Sequence, residues 1–245
     1  MTARLFITTG GLFVLGAVLM ALAHHRRGVS SERIKKDRLK YVVYVFIVFG
    51  FLLASVSGRW LTAVILATVA LVGSIEIYRS VKRRRFRKSF MALTIPIIVL
   101  CLAHLLWHPT GVWSNSFAFL FLLVAVNDSF SQLWGQLLGR RKIWPTISPA
   151  KTLEGTVGGA CSTVGAVFLL GFLMAGVALF VLVSIGIIVS FSAAAGDLCF
   201  SYIKRGLAIK DFSGILPGHG GVLDRFDSLI IAAPVYYWTG LLMMT

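Results

Sequence analysis

The sequence has few acidic residues and little charge of either sign. Only 9 of its 245 residues are Asp or Glu, charged residues make up 13%, and its three cysteines are isolated from one another. Because there is no CxxC pair and no cysteine at metal-ligand spacing, neither a disulfide framework nor a zinc site is predicted. A hydrophobic fraction of 58% and a mean hydropathy of +0.87 exclude an ordinary soluble domain.

Long apolar runs dominate the chain. Runs of 17 or more residues recur between short hydrophilic intervals, and a helix of that length can cross a hydrocarbon core about 30 Å thick. The predicted fold class is all-α, a polytopic helical integral membrane protein with about eight transmembrane helices. Tight turns are expected at Gly58–Arg59, at His108–Gly111 and around Ala175. The expected spans are Leu5–Ala23, Tyr41–Ser57, Trp60–Tyr78, Phe90–Trp107, Val112–Leu137, Leu153–Met174, Gly176–Leu198 and Ser228–Met243.

Lysine and arginine follow a topological pattern. Four hydrophilic intervals hold 22 of the 24 basic residues, and only Arg4 and Arg59 lie elsewhere. If the chain crosses the membrane at every expected span, all four intervals lie on one side, which the positive-inside rule makes the cytoplasm. Both termini are then expected on the non-cytoplasmic side, and the basic intervals are expected to contact anionic lipid rather than nucleic acid. The intervals are His24–Lys40, Arg79–Ser89, Leu138–Thr152 and Cys199–Asp227.

Six of the nine acidic residues lie at or next to the expected cytoplasmic ends of spans in the second half of the chain. Carboxylates near hydrocarbon are costly unless they are paired, hydrated or bound to a cation, so the cluster indicates a functional site. Carboxylate oxygens bind Mg²⁺, and the neighbouring basic side chains bind phosphate, a combination typical of phosphoryl or nucleotidyl transfer. Glu76, in contrast, is expected to form an interfacial ion pair with the nearby Arg79. The six are Asp128, Glu154, Asp197, Asp211, Asp224 and Asp227.

A segment near the end of the chain carries a family signature over 27 consecutive residues. The matching positions are Ser201, Ile203, Lys204, Arg205, Lys210, Asp211, Ser213, Leu216, Pro217, His219, Gly220, Gly221, Val222, Asp224, Arg225, Phe226 and Asp227. They resemble the signature of the phosphatidate cytidylyltransferase (CDP-diacylglycerol synthase) family, a far more specific match than a lone glycine motif. Phe200 stands immediately before this segment, where the family usually has a glutamate.

An upstream region is similar to a second motif of the same family. The matching positions are Asp128, Gly135, Gly139, Ile147, Ser148, Pro149, Lys151, Thr152, Glu154, Gly155, Gly158 and Gly159. The resemblance covers the chain from Asn127 to its C-terminus, whereas the first half resembles the family only in being a set of apolar spans. Residues 1–110 are therefore expected to form a scaffold of transmembrane helices, and residues 111–245 a catalytic region with its active site at the cytoplasmic face.

The resemblance implies an enzyme, a nucleotidyltransferase that joins CTP to phosphatidic acid and releases pyrophosphate. Ser148 and Thr152 are equally suited to cap the helix expected to begin near Leu153. By resemblance the catalytic residues are Asp197, Asp224, Lys204 and Arg205. The implied ligands of Mg²⁺, and of a second cation if one is bound, are Asp197, Asp224, Asp227 and Asp211. The implied substrate-binding residues are Ser148, Lys151, Thr152, Ser201, Lys210, His219, Arg225 and Asp128.

Two alternatives stay open at this point. One is CTP-dependent transfer to another lipid phosphate, such as an ether lipid or a polyprenyl phosphate. The other is a non-catalytic or transport homologue, which Phe200 motivates because it replaces an acid. The expected partners are CTP, the lipid phosphate, the bilayer and, by analogy with the family, a second copy of the chain, with no nucleic acid. The expected location is a prokaryotic inner membrane, with the active site facing the cytoplasm.

Overall fold

Long α-helices form most of the protein in a computed structural model, which describes residues 1–82, 94–95, 97–99, 101, 115–216 and 220–244. Within these residues, six helices are long and apolar enough to cross a membrane, which confirms the polytopic all-α prediction. The helices are α1 (Thr2–Arg27), α2 (Ser31–Ser57), α3 (Arg59–Lys82), α4 (Ser116–Leu138), α5 (Leu153–Leu170), a 3₁₀ helix (Gly171–Met174), α6 (Leu179–Gly206) and α7 (Leu223–Met244). Two short strands, β1 (Lys142–Trp144) and β2 (Ser148–Thr152), lie between α4 and α5.

The six candidate membrane helices correspond to six of the eight expected spans. They are α1 to α6, and the turns expected at Gly58–Arg59 and around Ala175 are confirmed. Twelve of the 18 residues of the expected span Phe90–Trp107 lie outside the described residues, as does the whole turn at His108–Gly111. The expected last span lies within α7, which carries three charged residues in its first turns and is not among the six.

Helices extend into two of the hydrophilic intervals. In the first interval, α1 continues to Arg27 and α2 begins at Ser31. Gly28 ends α1 with a φ of 57°, a left-handed conformation that glycine adopts without strain. In the last interval, α6 continues to Gly206. Lysine and arginine are good helix formers, so a helix can continue past its apolar stretch until a glycine or another breaker ends it.

The interval before α5 contains a small hairpin that the sequence did not predict. Strand β1 pairs with β2 in an antiparallel arrangement, with Lys142 opposite Thr152. Thr152 also caps α5, since its hydroxyl oxygen accepts a hydrogen bond from the Gly155 N–H at 3.2 Å. The Glu154 carboxylate accepts hydrogen bonds from the Arg140 and Arg141 N–H groups at 3.0–3.2 Å. The hairpin is thereby held against the start of α5.

Helix α4 lies at the centre of the bundle. It is the most buried of the six candidate spans and contacts α1, α2, α5, α6 and α7. Its closest neighbour is α5, because Gly155 and Gly159, one turn apart, face Ser131 without an intervening side chain. Small residues at this spacing allow membrane helices to approach closely. The division of the chain at residue 110 stays a prediction.

Replacing Gly159 with alanine is expected to destabilise the contact between α4 and α5. The added Cβ would overlap Ser131 Oγ and would lie 2.9 Å from the Asn127 carbonyl oxygen. Overpacking of this kind typically costs about 1–3 kcal/mol, so we expect a lower melting temperature in detergent. Gly165→Ala on the same helix is the matched control, because nothing lies within 4 Å of its added Cβ. Equal melting temperatures for the two variants would contradict the close packing.

Candidate active site

Helices α6 and α7 pack closely where Asp197 on α6 faces the first turns of α7, which carry Asp224 and Asp227. At Gly196 a Cβ would lie 2.9 Å from the Asp227 carbonyl oxygen and 3.1 Å from Ser228 Cα. Glycine therefore lets the first turns of α7 lie directly against α6. On α6, Asp197, Ser201 and Lys204 follow at spacings of four and three residues, which places them along one face of the helix.

Lys204 is the buried cation of this contact. Its Nζ lies 2.9 Å from Asp224 Oδ1 and 3.5 Å from Asp227 Oδ2. The residue is only 9% exposed, so the two carboxylates replace the water that a lysine ammonium normally binds. One lysine side chain therefore lies between two aspartate side chains inside the protein.

Asp224 also holds the segment that precedes α7. Its Oδ2 accepts hydrogen bonds from the Phe212 and Gly221 N–H groups, each at 2.9 Å. The carboxylate is 1% exposed, and both of its oxygens have partners. Asp224 thus connects α6, through Lys204, to two points of the segment between α6 and α7, Phe212 and Gly221.

A second lysine–aspartate pair connects the upstream motif to α6. Lys151 Nζ on β2 lies 2.8 Å from Asp197 Oδ2 and donates a hydrogen bond to the Ala194 carbonyl oxygen at 3.2 Å. Ser201 donates from its hydroxyl to Asp197 Oδ1 at 3.3 Å. Lys151 and Ser201, one from each motif and 50 positions apart in sequence, therefore share one site through Asp197.

The site contains more carboxyl groups than lysines. Asp128 on α4 is partly buried and lies within electrostatic range of Asp197, Asp227 and Lys151. With Asp224 and Lys204, four carboxyl groups and two lysines lie in this part of the protein, and Arg225 is within electrostatic range of Asp227. Carboxylate oxygens that are not taken up by lysine are available to a divalent cation.

The donor set fits a Mg²⁺ ion that is partly held by its substrate. Within the described residues, no group of three or more His, Cys, Asp or Glu side chains is arranged to hold a metal. Mg²⁺ in nucleotide sites, however, is usually bound by one or two carboxylates together with phosphate oxygens. Asp197 is 36% exposed, against 1% for Asp224 and 9% for Asp227, so its carboxylate is the most accessible of these three.

The remaining expected residues lie around this core with different contacts. Arg205 donates to the carbonyl oxygens of Ile147 at 3.1 Å and Ile209 at 3.3 Å, so its guanidinium ties the hairpin to the end of α6. Ser148 is partly buried in β2, and Thr152 is the cap of α5. Exposed side chains are found at Lys210, Asp211 and Arg225. His219 lies outside the described residues.

Phe200, which replaces the family's usual glutamate, is an apolar support of the site. Its side chain is fully buried and contacts Phe212 edge to face, with ring centroids 6.2 Å apart. Phe212 is the residue whose N–H binds Asp224. The aromatic pair therefore packs against the segment that Asp224 holds, with no carboxylate at this position.

The expectation for Glu76 was wrong. Glu76 is 2% exposed and accepts a hydrogen bond from the Ser213 hydroxyl at 2.5 Å. The described ion pairs include none between Glu76 and Arg79, whose side chain is exposed. One feature of the sequence does single out Glu76: it is a lone acid in an otherwise apolar span. An acid in that position by default indicates a specific partner.

Comparisons with known proteins identify the family of this chain. A model of the Cytidylyltransferase family matches residues 108–243. The Staphylococcus saprophyticus protein named "Phosphatidate cytidylyltransferase" is 31% identical over 232 residues, which cover 92% of this chain and 89% of that protein. The protein of the same name from Staphylococcus aureus (strain COL) is 41% identical over 116 residues, 47% of this chain and 45% of that protein. "Uncharacterized protein YnbB" of Escherichia coli is 39% identical over 146 residues, 57% of this chain, and the match spans 49% of that protein's length.

Proposed function

The chain belongs to the cytidylyltransferase family, a family of nucleotidyltransferase enzymes, and from this premise we propose that it transfers CMP from CTP to phosphatidic acid. The products are CDP-diacylglycerol and pyrophosphate. The observation that supports this assignment is that Asp197 contacts a residue of each motif, Lys151 at 2.8 Å and Ser201 at 3.3 Å. Side chains from β2, α6 and α7 thereby form one site of carboxyl groups and fixed lysines, next to exposed basic residues that can bind phosphate.

The proposed reaction is an in-line displacement at phosphorus. A phosphate oxygen of the lipid forms a bond to the α-phosphorus of CTP, while the bond from that phosphorus to the pyrophosphate oxygen breaks. A phosphate monoester has its second pKa near 6, so it is already largely ionised at neutral pH and needs no strong general base. The protein must instead offset the repulsion between two anions and the charge that gathers on pyrophosphate. Lys151, Lys204 and Arg205 are the proposed cationic groups, and the exposed Lys210 and Arg225 the proposed phosphate-binding groups.

Mg²⁺ is the proposed cofactor. Asp197 and Asp227 would provide its protein oxygens, with Asp224 and Asp211 as further donors, and the bound ion would neutralise phosphate charge and polarise the reacting phosphoryl group. Support comes from the exposure of Asp197 and from the excess of carboxylates over lysines. Asp224 already uses both oxygens for Lys204 and two N–H groups, which gives it an orienting role beside any role as a ligand.

We place the reaction at the cytoplasmic face of a prokaryotic inner membrane. The support is the distribution of lysine and arginine, 22 of 24 in four intervals that share one side of the eight-span arrangement. The lipid would keep its acyl chains in the bilayer while its phosphate meets water-soluble CTP at the helix ends. Non-cytoplasmic termini follow from the same arrangement, and a homodimer stays a prediction.

The test is a transfer assay with purified protein, labelled CTP, Mg²⁺ and a panel of lipid phosphates. We expect a labelled CDP-lipid to form fastest with phosphatidic acid, and its formation to stop when EDTA removes divalent ions. Faster product with an ether-lipid phosphate or a polyprenyl phosphate would reassign the substrate. Folded protein that is inactive with every lipid would favour the non-catalytic or transport homologue that Phe200 motivates.

A further inference from the structure

Glu76 is a buried carboxylate that has no role in the site described so far. It lies on α3, in the first half of the chain, and is 2% exposed. Among the described side chains, no lysine, arginine or histidine nitrogen lies within 4.0 Å of it. A charged group removed from water needs compensating partners, and its partners are all on the segment that leads into α7.

The contacts of Glu76 cap the start of α7. Its Oε1 accepts a hydrogen bond from the Val222 N–H at 3.0 Å, and its Oε2 accepts one from the Leu223 N–H at 2.9 Å. The first N–H groups of a helix lack partners within the helix, and they carry a partial positive charge. The preceding Gly221 has no side chain to cap them. A carboxylate 147 positions earlier in the chain therefore does so.

Helix α3 packs closely against the start of α7. A Cβ on Gly221 would lie 2.7 Å from Glu76 Oε1, and a Cβ on Gly73 would lie 3.1 Å from Leu223 Cδ1. One turn after Glu76, the buried Ser80 hydroxyl donates to the Phe212 carbonyl oxygen at 3.5 Å. Gly73, Glu76 and Ser80 follow at spacings of three and four, so one face of α3 contacts both Phe212 and the start of α7.

Glu76 and Asp224 bind different groups of the same segment, the one that joins α6 to α7. Asp224 binds the N–H groups of Phe212 and Gly221, while Glu76 binds the Ser213 hydroxyl and the next two N–H groups along the chain, those of Val222 and Leu223. We infer that Glu76 is a positioning residue, which fixes the start of α7 and thereby the places of Asp224 and Asp227 beside Lys204. The expected effect of Glu76 on catalysis rests on the proposed function, whereas its effect on the position of α7 does not.

The experiment compares Glu76→Gln with wild type by hydrogen exchange and by kinetics. Glutamine keeps one acceptor oxygen, but its amide group then faces a backbone N–H, so one hydrogen bond is replaced by a contact between two donors. We expect the amides of residues 221–223 to exchange about 10-fold faster or more. We expect kcat for CDP-lipid formation to fall about 10- to 100-fold, while KM for CTP changes less than about threefold. Glu32→Gln is the matched control, because Glu32 is an exposed glutamate on α2, and it is expected to change neither measurement.

Each outcome decides the inference. Exchange and kcat equal to those of Glu32→Gln would overturn it, and so would faster exchange with unchanged kcat, since Glu76 would then cap α7 without positioning the site. If wild type transfers CMP to no lipid but Glu76→Gln still exchanges faster, the proposed function fails and the structural part of the inference stands. If Glu76→Gln does not fold, Glu76→Asp tests the same contacts, because it keeps the charge and shortens the side chain. Wild-type exchange and kcat in that variant would then overturn the inference.

Discussion

Replacing Lys204 with methionine is expected to abolish CDP-lipid formation and to lower the stability of the protein. Methionine has similar length but no charge, so Asp224 and Asp227 lose the ammonium that lies 2.9 Å and 3.5 Å from them. Removing one partner of a buried ion pair typically costs about 3–5 kcal/mol, because the remaining charge is left uncompensated. The measurements are the melting temperature in detergent and the CDP-lipid yield per folded protein.

A matched control separates this loss from a general effect of removing a lysine. Lys142→Met changes an exposed lysine on β1 and is expected to keep the wild-type melting temperature. Combining Lys204→Met with Asp224→Asn should recover part of the lost stability, because one of the two uncompensated charges is removed with its partner. Wild-type stability and turnover in Lys204→Met would show that this buried pair contributes to neither.

The membrane helices were predictable because the apolar run that is visible in the sequence is also the physical requirement for crossing a bilayer. A segment crosses a bilayer as a helix when it is apolar over about 20 residues, and six such runs became α1 to α6. The helix ends were less predictable. Helix α2 begins at Ser31, well before the expected start at Tyr41, because basic residues continue a helix outside the apolar stretch without a hydropathy signal.

The composition of the site was more predictable than its pairing. Asp197 was expected in the site from its place at the end of an expected span and Lys151 from its place in the upstream motif, and the structure brings them to 2.8 Å. Which carboxylate meets which lysine depends on how α6 and α7 are rotated about their axes, and close approach at Gly196 sets that rotation. A single sequence contains no direct signal for such a rotation.

The partners of Glu76 are an example of long-range contacts that could not be predicted from the sequence. Local spacing suggested Arg79, three residues later, because residues at that spacing are neighbours on a helix surface. The actual partners lie 137 to 147 positions away. Contacts of this range depend on which helices become neighbours in the bundle, and hydropathy and motif spacing do not specify that.

Replacing Asp224 with asparagine is expected to abolish transfer while the protein is still expressed and inserted. The carboxylate has one oxygen for Lys204 and one for the N–H groups of Phe212 and Gly221. Asparagine has a single acceptor oxygen, so its amide nitrogen must face either the ammonium or the two N–H donors. A buried donor left without an acceptor costs about 1–3 kcal/mol, which is enough to displace Lys204 or the start of α7 but is smaller than the loss expected for Lys204→Met.

The decisive comparison for Asp224 is between activity and stability. We expect turnover to fall about 100- to 1,000-fold, the range seen when a preorganised electrostatic group is lost, with a modest decrease in melting temperature. Asp37→Asn is the matched control, since Asp37 on α2 forms its ion pair with His24 on α1, and we expect its turnover to stay within about twofold of wild type. Retained turnover in Asp224→Asn would remove Asp224 from the site, because a residue that orients Lys204 and holds the start of α7 cannot lose half of its acceptors without effect.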